Sequence, residues 1–155
     1  MTRFSLVTGI ACLLVGCGSK PSDFELAGRA LSEGNTNALA VILGRNKGVV
    51  TNVSGFDGST LLHFSLENFP DIATSEMLVQ AGADVNRRDI TGATPLHRAC
   101  RTGANPEAIS FLIKHGADVN MRDGRGHSAL QIALRPGFGH SEEGVALLRQ
   151  AGAKE

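Results

Sequence analysis

The stretch Thr94-Pro95-Leu96-His97-Arg98-Ala99-Cys100 sets an imidazole three residues from a thiol. Such a pair is a candidate for a thiolate nucleophile with its base, or for two ligands of a metal ion. The other groups that these chemistries need do not follow. There is no G-x-S-x-G elbow, no H-E-x-x-H pair, no S-x-x-K and no glycine-rich loop ending in G-K-S or G-K-T. His115, His127 and His140 are scattered over a helix end and loops, and Pro136 to His140 reads as a turn. Glu142 and Glu143 are adjacent at a helix start, where they favour the helix dipole but cannot face each other as an acid and base pair.

The elements that would position His97 and Cys100 recur along the chain. Asn52, Asn86 and Asn120 fall 34 residues apart, as do Gly48, Gly82 and Gly116, with Gly152 two residues late. The same period links Gly58, Gly92 and Gly126, then Thr60, Thr94 and Ser128, then Leu62, Leu96 and Leu130, and it pairs His63 with His97. A unit of this length that repeats along a chain is one supersecondary element whose apolar face is buried by its neighbours. Within each unit, Thr94-Pro95 reads as a hydroxyl cap followed by proline at the first helical position. A second helix start lies eleven residues on, at Asn37, Asp71, Asn105 and Ser141. That second helix is expected to end at the periodic glycine, and to bury Met77-Leu78-Val79 in one unit and Phe111-Leu112-Ile113 in the next.

Residues 89–120, "DITGATPLHRACRTGANPEAISFLIKHGADVN", resemble a nearly complete ankyrin repeat, and residues 57–86 resemble another. A third copy from Asp123 is degenerate: Gln131 replaces the histidine, Ala129 the proline, and Pro136 to His140 lengthen a turn. Residues 23–52 match weakly, as a capping pair whose Ser22 and Glu25 have capping-box spacing. The resemblance implies an all-α ankyrin-repeat solenoid of about four helix-turn-helix units with short hairpin-like loops, divided at 23–52, 53–86, 87–120 and 121–153. It also implies that His63 and His97 are structural, each bracing loop backbone between units. Cys100 then fills a position that is usually alanine, packed between helices, and a buried cysteine acts as a small apolar residue. The residues aligned with it are Leu66 and Leu134, which adds no metal ligand. No catalytic residue, metal or cofactor is expected.

The N-terminus reads as an address. Arg3 precedes an apolar run from Phe4 to Val15, shorter than the roughly 20 residues a membrane-crossing helix requires. Leu14-Val15-Gly16-Cys17 resembles the lipobox of bacterial lipoproteins, which implies cleavage after residue 16 and a lipid on Cys17. Residues 17–22 would then be the lipidated cysteine and a tether that reaches on the order of 20 Å. An ordinary cleaved secretory signal is the alternative. Gly18 is not the aspartate that favours inner-membrane retention in that family, so the resemblance implies an outer-membrane anchor facing the periplasm. With Cys12 removed and Cys17 acylated, Cys100 would be the single free thiol, and no internal disulfide could form.

Lysine plus arginine number 15 and aspartate plus glutamate 15, with no tryptophan or tyrosine, which argues against a nucleic-acid binder. The charge is uneven, however. Between Arg87 and Arg135 there are seven arginines and one lysine against four acidic residues. In ankyrin stacks the loop tips and the exposed side of the first helix hold partners, usually proteins. The positions of this chain on that surface are Phe56, Asp57, Phe64 and Glu67, then Arg88, Ile90, Arg98 and Arg101, then Arg122, Arg125 and Arg135. Arginine forms bidentate bonds with carboxylates and is a frequent hot-spot residue. The face is either solvated, with local ion pairs, or a dock for an acidic protein, with Arg98 expected to point outward onto it. Three functions compete for a monomeric chain of this kind: a lipid-anchored adaptor for an envelope protein, a periplasmic inhibitor or immunity protein that blocks a toxin or enzyme, and, least favoured, an enzyme.

Overall fold

The computed structural model describes residues 21–50, 57–68, 72–103, 105–135 and 141–154. Over these, eight α-helices follow in order: α1 (Asp23–Ser32), α2 (Thr36–Arg45), α3 (Leu61–Asn68), α4 (Ile72–Gln80), α5 (Pro95–Arg101), α6 (Pro106–Lys114), α7 (Ala129–Ala133) and α8 (Glu142–Gln150). A 3-10 turn, Lys47–Val50, follows α2, and no strand occurs among the described residues beyond an isolated bridge between Arg122 and Ser128. None of the described helices is long and apolar enough to cross a membrane.

The helices form two layers. Helices α1, α3, α5 and α7 stack on one another as the inner layer, and α2, α4, α6 and α8 pack behind them as the outer layer. No single helix has an apolar face wide enough to stand alone. Leu62, Leu96 and Leu130, spaced at the repeat period, are all buried at the seam, with Leu78, Ile109, Leu112 and Leu148 meeting them from the outer layer. Burial of each such side chain contributes about 1.5–3 kcal/mol, so each unit depends on its neighbours for its core.

The helix starts follow from the capping chemistry. Ser22 caps α1 in a complete capping box with Glu25, Asn105 caps α6 through Glu107 N–H, and Ser141 caps α8 through Gly144 N–H. The first unit departs from the expected register. There the cap of α2 is Asn35, whose side chain accepts from Ala38 N–H, and Asn37 lies inside the helix. Gly48 likewise falls in the 3-10 turn, whereas Gly82, Gly116 and Gly152 adopt positive φ just past α4, α6 and α8. The connection before α2 is tight, so its own asparagine sits two residues ahead of the period; Gly34, at φ 65°, turns the chain between α1 and α2.

The periodic asparagines stitch unit to unit. Asn86 Nδ2 donates to Gly116 O and its Oδ1 accepts from Asp118 N–H, and Asn120 makes the same pair of bonds with Gly152 O and Lys154 N–H. Asn52 lies outside the described residues.

Between the layers' turns project loops, here called fingers, at residues 57–60, 88–93 and 122–127. In each, an aspartate accepts hydrogen bonds from its own loop: Asp57 from Ser59 N–H, Asp89 from Thr91 and Ala93 N–H, and Asp123 from Arg125 and His127 N–H. Backbone bonds then join finger to finger, Ile90 N–H to Asp57 O at 3.0 Å and Gly124 N–H to Thr91 O at 2.7 Å. Gly92, at φ 74°, sits in this seam, where a Cβ would stand 2.6 Å from Gly124 N. Gly92→Ala is therefore expected to lower stability by more than the roughly 1–3 kcal/mol of backbone strain alone. Gly116→Ala, at φ 87° with open space around it, isolates that strain, and urea unfolding of the two variants reads the difference. Equal losses would mean that the finger seam is not a close contact.

Candidate finger and inner-helix binding surface

The inner helices and fingers bring most of the sequence-derived candidates near one another, but in two different electrostatic states. Arg98, on α5, is the main departure from expectation. It does not point outward: it is only 7% exposed, held in the angle between two fingers and two inner helices. Its Nε and Nη2 both donate to Asp89 Oδ2, at 3.0 and 2.6 Å, and Nη1 donates to Glu67 Oε2 at 2.7 Å. Nη2 also reaches Asp57 Oδ2 and Ser59 Oγ at 3.3 and 3.2 Å. One guanidinium thus ties the finger at 57–60, helix α3 and the finger at 88–93 together. Arg101, one turn later, donates to the other oxygen of Glu67 at 2.7 Å. Two arginines against Asp57, Glu67 and Asp89 leave this part of the face slightly anionic.

The physical reason for the inward turn is the supply of acids. Burial disfavours the charged forms of Asp57 and Asp89, yet the hydrogen bonds from Ser59 and Thr91 and the Arg98 charge together hold both below the usual carboxylate range. Burial also works against the Arg98 charge, but its bonds to Asp89 and the nearby Glu67 outweigh this and raise it further. A buried, hydrogen-bonded arginine of this kind fixes geometry; removing one member leaves uncompensated charge.

The second state is found on the outer edge of the fingers. Arg88, Arg122 and Arg125 are exposed and pair with no carboxylate among the described residues, and the same holds for the adjacent Arg87. Arg88 Nη2 instead donates to Arg122 O at 2.7 Å, and Arg122 Nη1 donates to Gly126 O at 2.8 Å and to Gln131 Oε1. Ile90 stands beside them at 72% exposed. The aspartates of these fingers are turned onto their own backbone amides, so the arginines present their charge to solvent largely unopposed. Arg135 is half-buried and donates to His127 Nε2 at 2.7 Å, and Phe64 is half-buried on α3. Cys17 and Phe56 lie outside the described residues.

His63 and His97 are buried, at 0% and 1% exposed. Thr60 N–H donates to His63 Nδ1, and Nε2 donates across to Ala93 O at 3.2 Å. His97 repeats the pattern one unit on, accepting from Thr94 N–H and donating to His127 O at 3.2 Å. These partners fix the tautomer with the proton on Nε2, so the Thr60 and Thr94 hydroxyls donate to Nδ1 as well. Each imidazole therefore stands in for the glutamate of a capping box while bracing the next finger. Burial pushes both imidazoles below the ordinary histidine value, which keeps them neutral. Cys100 is fully buried and its thiol is pushed up to about 12 by that burial, so it is not a nucleophile in the folded protein.

The repeat seen in the geometry is matched by family models: one for ankyrin repeats in many copies covers residues 78–133, and one for a single ankyrin repeat covers residues 57–90. Residues 57–133 are ankyrin repeats. No curated protein matches the chain in a sequence search. With eight helices and no strand among the described residues, the fold is an ankyrin-repeat solenoid, and such repeats are protein-interaction modules and typically not enzymes. The degenerate ankyrin unit explains its own departure. Gln131 Oε1 accepts from Ser128 N–H, and Gln131 N–H donates to Ser128 Oγ, so the amide does the capping that histidine does elsewhere without bracing a further finger. Sequence reasoning missed Asp89 and Ser59 as partners of Arg98, and Asn86 and Asn120 as ties between ankyrin units.

Proposed function

We propose that this chain is a lipid-anchored adaptor of the bacterial cell envelope, held by a lipid on Cys17, whose ankyrin fingers dock an acidic protein. The observation that carries the partner's sign is the set of arginines at 88, 122 and 125, exposed and without acidic partners among the described residues. The lipobox at residues 14–17 supports the anchor, and Gly18 supports an outer-membrane position facing the periplasm. A chain fixed to the membrane by a tether of about 20 Å keeps whatever it binds within that distance of the bilayer, which is what positioning a partner requires. A short cationic edge also speeds encounter with an acidic surface at low salt.

The test uses the full-length protein expressed in a bacterial host with a Gram-negative envelope. Cys17→Ser is expected to abolish palmitate labelling and to release the chain from the membrane fraction. Arg88→Glu/Arg122→Glu/Arg125→Glu, all at exposed sites, is expected to leave the chain folded, with a total loss of at most about 1.5 kcal/mol, since surface substitutions shift stability by about 0.5 kcal/mol or less each. It is expected to remove cross-linking to envelope proteins that the wild type captures. Undiminished cross-linking would refute the placement of the dock, and membrane retention of Cys17→Ser would refute the anchor.

A further inference from the structure

Two large hydrophobic side chains are strongly exposed among the described residues: Val41, on α2 of the outer layer, and Ile90, at the tip of a finger. Val41 sits alone on a helix surface and needs no explanation. Ile90 is different in three respects. Its backbone is pinned, since its N–H is bonded to Asp57 O and a Cβ on Gly58 would lie 3.2 Å from Ile90 N. Its finger is closed by Asp89 and joined to the next finger by the Gly124 to Thr91 bond. And its finger also carries Arg88, whose guanidinium, like that of Arg122 on the adjoining finger, is anchored through one nitrogen to a backbone carbonyl. A carbonyl orients a guanidinium without cancelling its charge, and the remaining N–H groups stay available.

An exposed apolar side chain on a rigid loop, with two pre-oriented guanidiniums on the same pair of linked fingers, has the elements of a hot spot, an apolar anchor with polar contacts on the same edge. Holding the arginines in place beforehand removes part of the side-chain ordering that binding would otherwise cost. Resting on the reading of an acidic protein partner, we propose that Ile90 is the anchor of the dock, and that it takes a protein segment in which an apolar residue lies close to carboxylates, with Arg88 and Arg122 each gripping an acid. A nucleic acid would offer phosphates but no apolar counterpart to Ile90, and the chain has no tryptophan or tyrosine with which to stack bases. One isoleucine offers little to a bilayer interior, and membrane adsorption needs no pre-oriented forks.

Short random peptides displayed on phage, selected against the immobilised full chain, give a direct test. Enriched peptides are expected to carry Leu, Met or Phe together with nearby Asp or Glu. By fluorescence anisotropy, Ile90→Ala and Arg88→Gln/Arg122→Gln are each expected to weaken such a peptide by at least about tenfold, while Lys114→Gln, exposed on the outer helix α6, leaves it unchanged. Enrichment of acidic peptides that bind Ile90→Ala as well as wild type would overturn the anchor and leave the acidic-partner reading standing. Enrichment of peptides without acids would overturn both. Binding to phosphatidylglycerol vesicles beyond that to phosphatidylcholine vesicles, lost in Arg88→Gln/Arg122→Gln and with no peptide enriched, would assign the edge to the membrane and likewise overturn the proposal.

Discussion

Replacing Arg98 with methionine will lower the stability of the folded chain by about 3–5 kcal/mol, the cost of leaving buried acids without their counter-ion. The size follows from where the charge sits. Asp89 has a fully buried side chain and accepts two of the guanidinium's bonds, and Glu67 and Asp57 face the same group. Methionine matches the length of the stem and fills the space, so the loss reports the charge rather than a cavity. Chemical unfolding of wild type and variant at neutral pH measures it. The pH dependence gives a second reading. In the wild type Asp57 and Asp89 are held below the usual carboxylate value, so their contribution is present above about pH 4 and is lost as the pH falls through their folded values. In Arg98→Met the cation that lowers them is gone and burial pushes them upward, so acidification removes an unfavourable charge. The gap between the two proteins should therefore narrow as the pH is lowered towards 4. A gap that stays constant would mean the loss comes from packing.

The second large effect concerns the neutral imidazoles. Burial lowers His63 and His97 below the ordinary value near 6.5, so below that pH the unfolded chain binds more protons than the folded one. Stability is complete above about pH 6.5 and declines as the pH falls towards the folded values, by up to about 1.4 kcal/mol per pH unit for each histidine. His97→Ala is expected to cost about 2–4 kcal/mol at neutral pH, because it leaves a cavity and strands both Thr94 N–H and His127 O. His97→Gln is the informative variant. Gln131 already caps its helix with an amide at the equivalent position, so glutamine at 97 should keep the cap, cost less than alanine, and remove one histidine's share of the pH slope. Unfolding free energies between about pH 7 and pH 5 decide the matter. An unchanged slope in His97→Gln would show that this imidazole is not what ties stability to pH.

Much of the architecture can be read from residue types alone, because a cap, a left-handed turn and a brace each demand a narrow set of side chains. Thr60, Thr94 and Ser128, and Gly82 and Gly116, recur for that reason. The first unit is less legible. Its helix cap, Asn35, stands two residues before Asn37, the position that the period assigns. The binding surface is only half legible. Periodicity places Arg98 on the inner helix but does not show that acids from two fingers and a neighbouring helix surround it. A signal did exist: the residues one period away are Phe64 and Ile132, half-buried and buried, so the position is an interior one. Likewise Glu67 and Arg101 lie 34 residues apart, which puts them side by side on neighbouring helices and foretells their ion pair. The exposed finger arginines were legible as candidates. Their freedom from carboxylates was not, because it depends on Asp89 being taken by Arg98 and its own loop, and on Asp123 turning onto backbone amides.

A division of labour between an interior arginine that braces and finger arginines that, we propose, bind is the central feature. Hydrogen–deuterium exchange on the full chain, with and without a protein captured by the cross-linking proposed above, tests it most directly. Added protection confined to the fingers at residues 88–93 and 122–127, absent in Arg88→Glu/Arg122→Glu/Arg125→Glu, is the predicted result. Protection centred on the outer helices α4, α6 and α8, unaffected by those substitutions, would contradict it.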